Sequence, residues 1–310
     1  MFTHAFVFKT LSNAMQSKLA YLLLIAPLLA ILISHAASAQ DAKKAPALTF
    51  TYTTVTVPGA SDTQLFSVNN SGTMVGNYVD TNGVLHGVQV SGGKFKTIDH
   101  PAPAVGTRLF GINSTGTIAG YYLDAFGVEF GFTYKGGVFK SVLPPGSTST
   151  QVFGINDAGQ VTGAYVDSAN FQHGFVGNAT TGYKRLDVPG AAFTLAWGIN
   201  KSGTISLIWF NAARQRNGAT YNGTKYTIVN VPGSTETLMR GINTAGDLVM
   251  AYTDAAGTHA ALRTGGVFYK FSDPVDPNFT IATGINDKRV ITGNITDSVT
   301  GAISGIKVTY

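Results

Sequence analysis

Six asparagines, Asn69, Asn113, Asn156, Asn200, Asn243 and Asn286, recur at intervals of 43 or 44 residues, and each sits in a near-copy of one phrase. The phrase is clearest as Phe153-Gly154-Ile155-Asn156-Asp157-Ala158-Gly159, followed by Gly163, Tyr165 and Asp167. A fixed period of about 40–50 residues built from short β-like runs is the mark of a propeller or a related array. Most of the conspicuous residues then belong to the scaffold and not to a site.

Alignment on the asparagine separates four segments per unit. The residue before it is always β-branched (Val68, Ile112, Ile155, Ile199, Ile242, Ile285). The one before that is Gly in five copies and Ser67 in the first, a position for close backbone approach. Three before it stands an aromatic in Phe66, Phe110, Phe153 and Trp197. Gly follows three after the asparagine in five copies, so Asn-x-x-Gly predicts a hairpin turn with φ > 0 at the glycine. A second strand carries an aliphatic residue or Met five places past the asparagine and Asp or Asn eleven past it, with both faces apolar enough to be covered. A third opens at His86, Phe130, His173, Asn217, His259 or Ser304, and a fourth ends on phrases such as Val188-Pro189-Gly190. Four short strands make one blade.

The two ends fit each other. The sixth unit stops at Tyr310 after its third strand, while Phe50 to Pro58 repeats the fourth-strand pattern before the first unit. The expected fold is therefore all-β: a six-bladed β-propeller of four-stranded blades over residues 47–310, closed by an N-terminal strand that completes the last blade and removes two open edges. An open solenoid would need capping units instead.

Gly-Ile-Asn-x-x-Gly with His-Gly-Phe or His-Ala-x resembles the bacterial extracellular "HAF" repeat family, named for a His-Ala-Phe element. The similarity covers about residues 60–310, six times over. This chain writes Gly for the family's Ala in most copies and lacks the His in units 2, 4 and 6. The resemblance implies a secreted repeat protein and carries no catalytic residue to transfer.

Export is also expected from the first 39 residues. Leu19 to Ile33 is an apolar run of 15 after Lys18, followed by Ala37-Ser38-Ala39 before Gln40, which reads as a secretory signal peptide over 1–39. It is short for a membrane span, so no span is expected after cleavage. Either Met1 or Met15 could start it, and 40–46 reads as a flexible leader. The expected destination is extracellular, periplasmic or the cell surface. With no cysteine, the exported fold must hold by burial alone, which suits a large β-array. The net charge of +5 is scattered, which argues against a nucleic-acid partner.

Candidate chemistry is thin. The Asn and Asp rings fit turns better than a metal, because Asx side chains bond nearby backbone N–H groups. His86, His173 and His259 belong to units 1, 3 and 5, too far apart to share one ion. No metal and no cofactor is expected. Paired-carboxylate chemistry needs groups about 5–10 Å apart, yet the two glutamates, Glu129 and Glu236, fall on separate blades. No catalytic residue is assigned. The repeat breaks most in unit 4, which holds both tryptophans (Trp197, Trp209) and the loop Asn211 to Asn217. Arg240 replaces an aromatic in unit 5. Trp197, Arg214, Arg216 and Arg240 are thus expected to form one ligand-binding patch over blades 4 and 5, suited to a sugar or an acidic glycan. A solvent-facing loop free to drift would give the same departures. The reading is a non-catalytic binding module whose partner is a polysaccharide or an envelope protein. The alternatives are an exported polysaccharide hydrolase or lyase, and a structural component of an extracellular assembly.

Overall fold

The asparagine hairpin is the local unit from which everything else follows. In the computed structural model, which describes residues 46–310 except 102, 103, 276 and 278, each repeat asparagine ends the first strand of its blade. Its Oδ1 accepts from the backbone N–H groups of the turn: Asn69 from Ser71 (3.1 Å) and Thr73 (3.0 Å), Asn286 from Lys288 (2.9 Å) and Val290 (3.0 Å). The following glycines are left-handed as expected, with φ of 82° at Gly72, 78° at Gly116, 74° at Gly159 and 84° at Gly203 and Gly246. Blade 6 puts Arg289 in that slot, at φ 61°. The expected signal peptide (1–39), and all of the expected leader (40–46) but Pro46, lie outside the described residues.

Blade 3 shows the meander. Its strands are Ser147–Ile155, Val161–Asp167, Gln172–Asn178 and Gly182–Leu186, each antiparallel to the next. The second strand is buried along Val161 to Ala164, as a strand covered on both sides must be. The described residues form 24 strands and no helix, in six blades of four. Blades 1 and 2 are joined by a single parallel pair, Leu85 with Gly106. In the sixth blade, Thr280–Ile285, Val290–Thr296 and Ile303–Thr309 take Thr51–Val55 as the outer strand, in the register Thr51 to Thr309 through Val55 to Gly305. The chain thus closes its ring as the N-terminal segment predicted. Phe50 stacks on Phe271 at 4.4 Å, and the Tyr52 hydroxyl donates to the Ser272 carbonyl at 2.8 Å.

Apolar seams hold neighbouring blades together. Val75 of blade 1, for example, packs with Leu109, Ile112, Ile118 and Phe132 of blade 2, all buried. Nearer the axis the first strands are too close for side chains. A Cβ at Gly154 would lie 2.5 Å from the Trp197 carbonyl oxygen, and one at Gly198 2.7 Å from that of Arg240. This explains the glycine two residues before the asparagine in blades 2–6, where blade 1 has Ser67. The asparagines then form a closed ring. Nδ2 of Asn69, Asn113, Asn156, Asn200 and Asn243 donates to the carbonyl of the next asparagine, at 3.0–3.4 Å, and Asn286 returns to Asn69 at 2.9 Å. A polar side chain buried at the axis is thereby satisfied in every blade.

Candidate functional site

Meander topology gives the ring two unlike faces. One carries the asparagine hairpins. The other carries the loops between second and third strands together with the connections between blades. The axial channel runs from a polar basin of about 300 Å³ at the asparagine ring, past a collar of Val68 and five isoleucines, into a smaller chamber of about 100 Å³. Beyond the collar, four first-strand aromatics meet across the axis. Phe66 and Phe110 are 4.4 Å apart, Phe153 and Trp197 stack at 4.5 Å, and Phe110 meets Trp197 edge-on at 5.7 Å.

Trp197 and Arg240 belong to this axial cluster and not to the loop-bearing surface. The Arg240 guanidinium lies over the Trp197 ring at 4.8 Å, and its Nε is buried with no acceptor among the described residues. The side chain keeps some accessible surface through the channel it lines, but burial still pulls its pKa down to about 10, with Arg216 adding like-charge repulsion. It remains a cation at neutral pH. Stacking on the partly buried Trp197 contributes about 0.5–2 kcal/mol, against several kcal/mol for removing an ion fully from water.

Arg216 does reach the loop-bearing face, where its Nε donates to Glu236 Oε2 at 3.0 Å across the seam between blades 4 and 5. That bond holds the Glu236 carboxyl below the usual carboxylate range. Arg214 is exposed in the loop of blade 4 at φ 61°, the left-handed slot filled by Gly83 and Gly127 in blades 1 and 2. The four residues expected in one patch are therefore separated: two at the axis, one in a seam and one at a loop tip. Side-chain alternation along the first strand carries Trp197 and Arg240 toward the axis, which is why they leave the face their sequence position suggested.

Repeat histidines are structural, as expected. His173 is bound by Asp187 through Nδ1 (3.1 Å) and by Asp167 through Nε2 (3.2 Å), and tilts against Tyr165. His86 pairs with Asp99 at 2.8 Å, and His259 with the Ser272 hydroxyl at 3.0 Å. No group of His, Cys, Asp or Glu suited to a metal occurs among the described residues. The glutamates bridge seams: Glu129 accepts from Gln151 Nε2 at 2.7 Å, and Glu236 from Arg216.

A depression that the sequence reading missed lies between blades 3 and 4. About 470 Å³ in volume, it is lined by Asp167, Phe171, His173, Arg185, Asp187 and the connection Val188 to Phe193. Phe171 is 64% exposed at its rim. Arg185 is 57% exposed at the side chain and donates from Nε to Asp187, which fixes the planar group at the rim of the depression. The Asp167 carboxylate accepts from the backbone N–H of Phe171 and Ala169, both at 2.9 Å, and the first of these chiefly holds its pKa low. An aromatic platform beside oriented ionic donors and acceptors suits a polyhydroxyl ligand. The legible signal was Phe171 itself, an aromatic at a turn tip with no strand to pack against.

No protein-family profile matches the sequence, and no curated protein does. Solved structures resemble the fold. A fungal fucose-recognising lectin of Aleuria aurantia, described as a six-bladed β-propeller, is 12% identical with a TM-score of 0.50 over 79% of this chain and 91% of that one. The lectin SapL1, in complex with α-methyl fucoside, is 14% identical with a TM-score of 0.52 over 79% and 92%. A putative TolB from Agrobacterium tumefaciens is 12% identical with a TM-score of 0.53 over 67% and 79%. Identities this low carry the propeller fold alone. No helix among the described residues is long and apolar enough to cross a membrane.

Proposed function

We propose that this chain is a non-catalytic carbohydrate-binding module that takes its ligand in the depression between blades 3 and 4. The observation that carries the reading is the exposed Phe171 ring beside Arg185 and Asp187. Sugar rings present apolar C–H faces to an aromatic platform, while planar charged groups bind their hydroxyls. His173 engages both Asp167 and Asp187, which favours a binding role for these carboxylates over acid–base turnover. Two of the similar propellers are lectins by name, which supports the ligand class. Export through residues 1–39, and the extracellular repeat family that the sequence resembles, complete the proposal by giving the module access to surface polysaccharide.

A glycan array probed with the purified protein tests the reading, followed by titration of the best binder. Phe171→Ala and Arg185→Ala are each expected to weaken binding at least about tenfold, or about 1.4 kcal/mol. An array with no binder, or both variants binding as the parent does, rejects it. A protein partner is the second reading, favoured by Phe126, Val275 and Val299, each at least 90% exposed on the same loop-bearing face.

A further inference from the structure

The glycan reading leaves Arg240 without a role. Its position is the third before the repeat asparagine, which is Phe66, Phe110, Phe153 and Trp197 in blades 1–4 and Thr283 in blade 6. A cation here gains from an anionic partner, and the described residues supply no carboxylate to it. Nε has no acceptor among the described residues, and the only ring contact is Trp197 beneath the guanidinium. Thr283 is already committed to the Leu65 carbonyl at 2.8 Å. Glu236, the acidic residue on the same strand, is held by Arg216. A guanidinium that is open only to a narrow channel, with its Nε buried and unpartnered, is poorly hydrated, and a bound counter-ion offsets that cost.

The space beside Arg240 restricts what that counter-ion can be. The chamber is about 100 Å³, and each water in the liquid occupies about 30 Å³. It admits a small ion with little hydration and excludes a sugar ring. Its walls are the aromatic cluster and the backbone at Gly198, Gly241 and Gly284, with no carboxylate among them. The collar of Val68, Ile112, Ile155, Ile199, Ile242 and Ile285 lines both this chamber and the asparagine basin, so the two adjoin along the axis. Asp157 and Asp287 line the basin together with Lys201 but not the chamber, and they accept hydrogen bonds from Ser114 and Thr244.

We propose that the propeller axis holds a binding site for a small monovalent anion, a halide or a planar oxyanion, with Arg240 as its cationic partner and the asparagine basin as its entrance. The site is independent of the groove between blades 3 and 4. It would make the centre of the ring tighter in the presence of the ion.

Iodide is the probe, because it quenches tryptophan emission on contact. In Trp209→Phe protein, where Trp197 is the remaining tryptophan, iodide is titrated at constant ionic strength balanced with sodium sulfate. The expected result is a saturable quench that Arg240→Met weakens at least tenfold. A quench that rises linearly with iodide, or one that Arg240→Met leaves unchanged, overturns the proposal. Because Arg240→Met could fail to fold, crystals of the unsubstituted protein soaked in sodium iodide give a second measurement. An anomalous peak at the Arg240 guanidinium supports the site, and an axis with none overturns it.

Discussion

Asn286 donates its side-chain N–H to the backbone carbonyl of Asn69 at 2.9 Å, although 217 residues separate them. This bond joins the last blade to the first in a ring that five other asparagines build blade by blade. Each asparagine supports its own turn through Oδ1 and its neighbour through Nδ2. Removing one leaves turn N–H groups without their acceptor and takes one of two donors from the next asparagine's carbonyl, which keeps the N–H of its own turn. Asn156→Ala is expected to cost about 1–3 kcal/mol in urea unfolding, while Asn156→Asp should restore only the turn contacts. Equal stability of the parent and the alanine variant would show the ring to be incidental.

Closure by the N-terminal strand gives a second expectation. Without residues 40–59, the third strand of blade 6 loses five register partners, Thr51 to Val55, and becomes an open edge. Phe50 and Tyr52 also leave the seam with blade 5. The shortened protein should melt lower and associate on size-exclusion chromatography. An unchanged melting temperature would reject the closure.

Backbone strain predicts gains as well as losses. Arg289 and Arg214 hold left-handed backbone where other blades place glycine. Arg289→Gly and Arg214→Gly should each stabilise by about 0.5–1 kcal/mol, since a Cβ is disfavoured there by slightly more than glycine's entropy costs. Gly159→Ala, at φ 74°, should lose about 1 kcal/mol or more. Thermal unfolding of the three variants checks the opposite signs together.

Acid should weaken the seam between blades 4 and 5. Hydrogen bonding to Arg216 lowers the folded-state pKa of Glu236. A depressed carboxyl contributes stability that is fully present above its unfolded value and is lost as pH falls through the folded value. The melting-temperature difference between the parent and Glu236→Gln should therefore be constant near neutrality and shrink in acid, below the ordinary glutamate range. A difference that does not change with pH would mean the pair is screened at the surface.

Much of the architecture was legible because a propeller repeats its local solutions. The Asn-x-x-Gly turn is set within one 43- or 44-residue unit, while the crowded glycine at Gly154 and the doubly covered second strand are set by the adjoining unit in a contact that recurs around the ring, so six copies of the sequence expose all three. Closure was legible for the same reason, since Phe50 to Pro58 repeats a fourth strand out of place. The candidate sites were not. Strand alternation says that Trp197 and Leu195 share a side, but only radial stacking of the blades turns that side toward the axis. Arg216 looked free until the seam brought Glu236, 20 residues away on the next blade, within hydrogen-bonding distance. The groove holding Phe171 and Arg185 forms where the turn before the third strand of blade 3 faces the end of its fourth strand and the connection Val188 to Phe193, segments that only the folded blade brings together. Sequence by itself determined the unit and its turns, which rest on short-range hydrogen bonding and steric fit, and the closing strand, which copies a repeated pattern even though its partners Gly305 to Thr309 lie at the other end of the chain. Tertiary structure decided which side chains are core, seam or surface, because those assignments depend on contacts between blades that form only once the ring is closed.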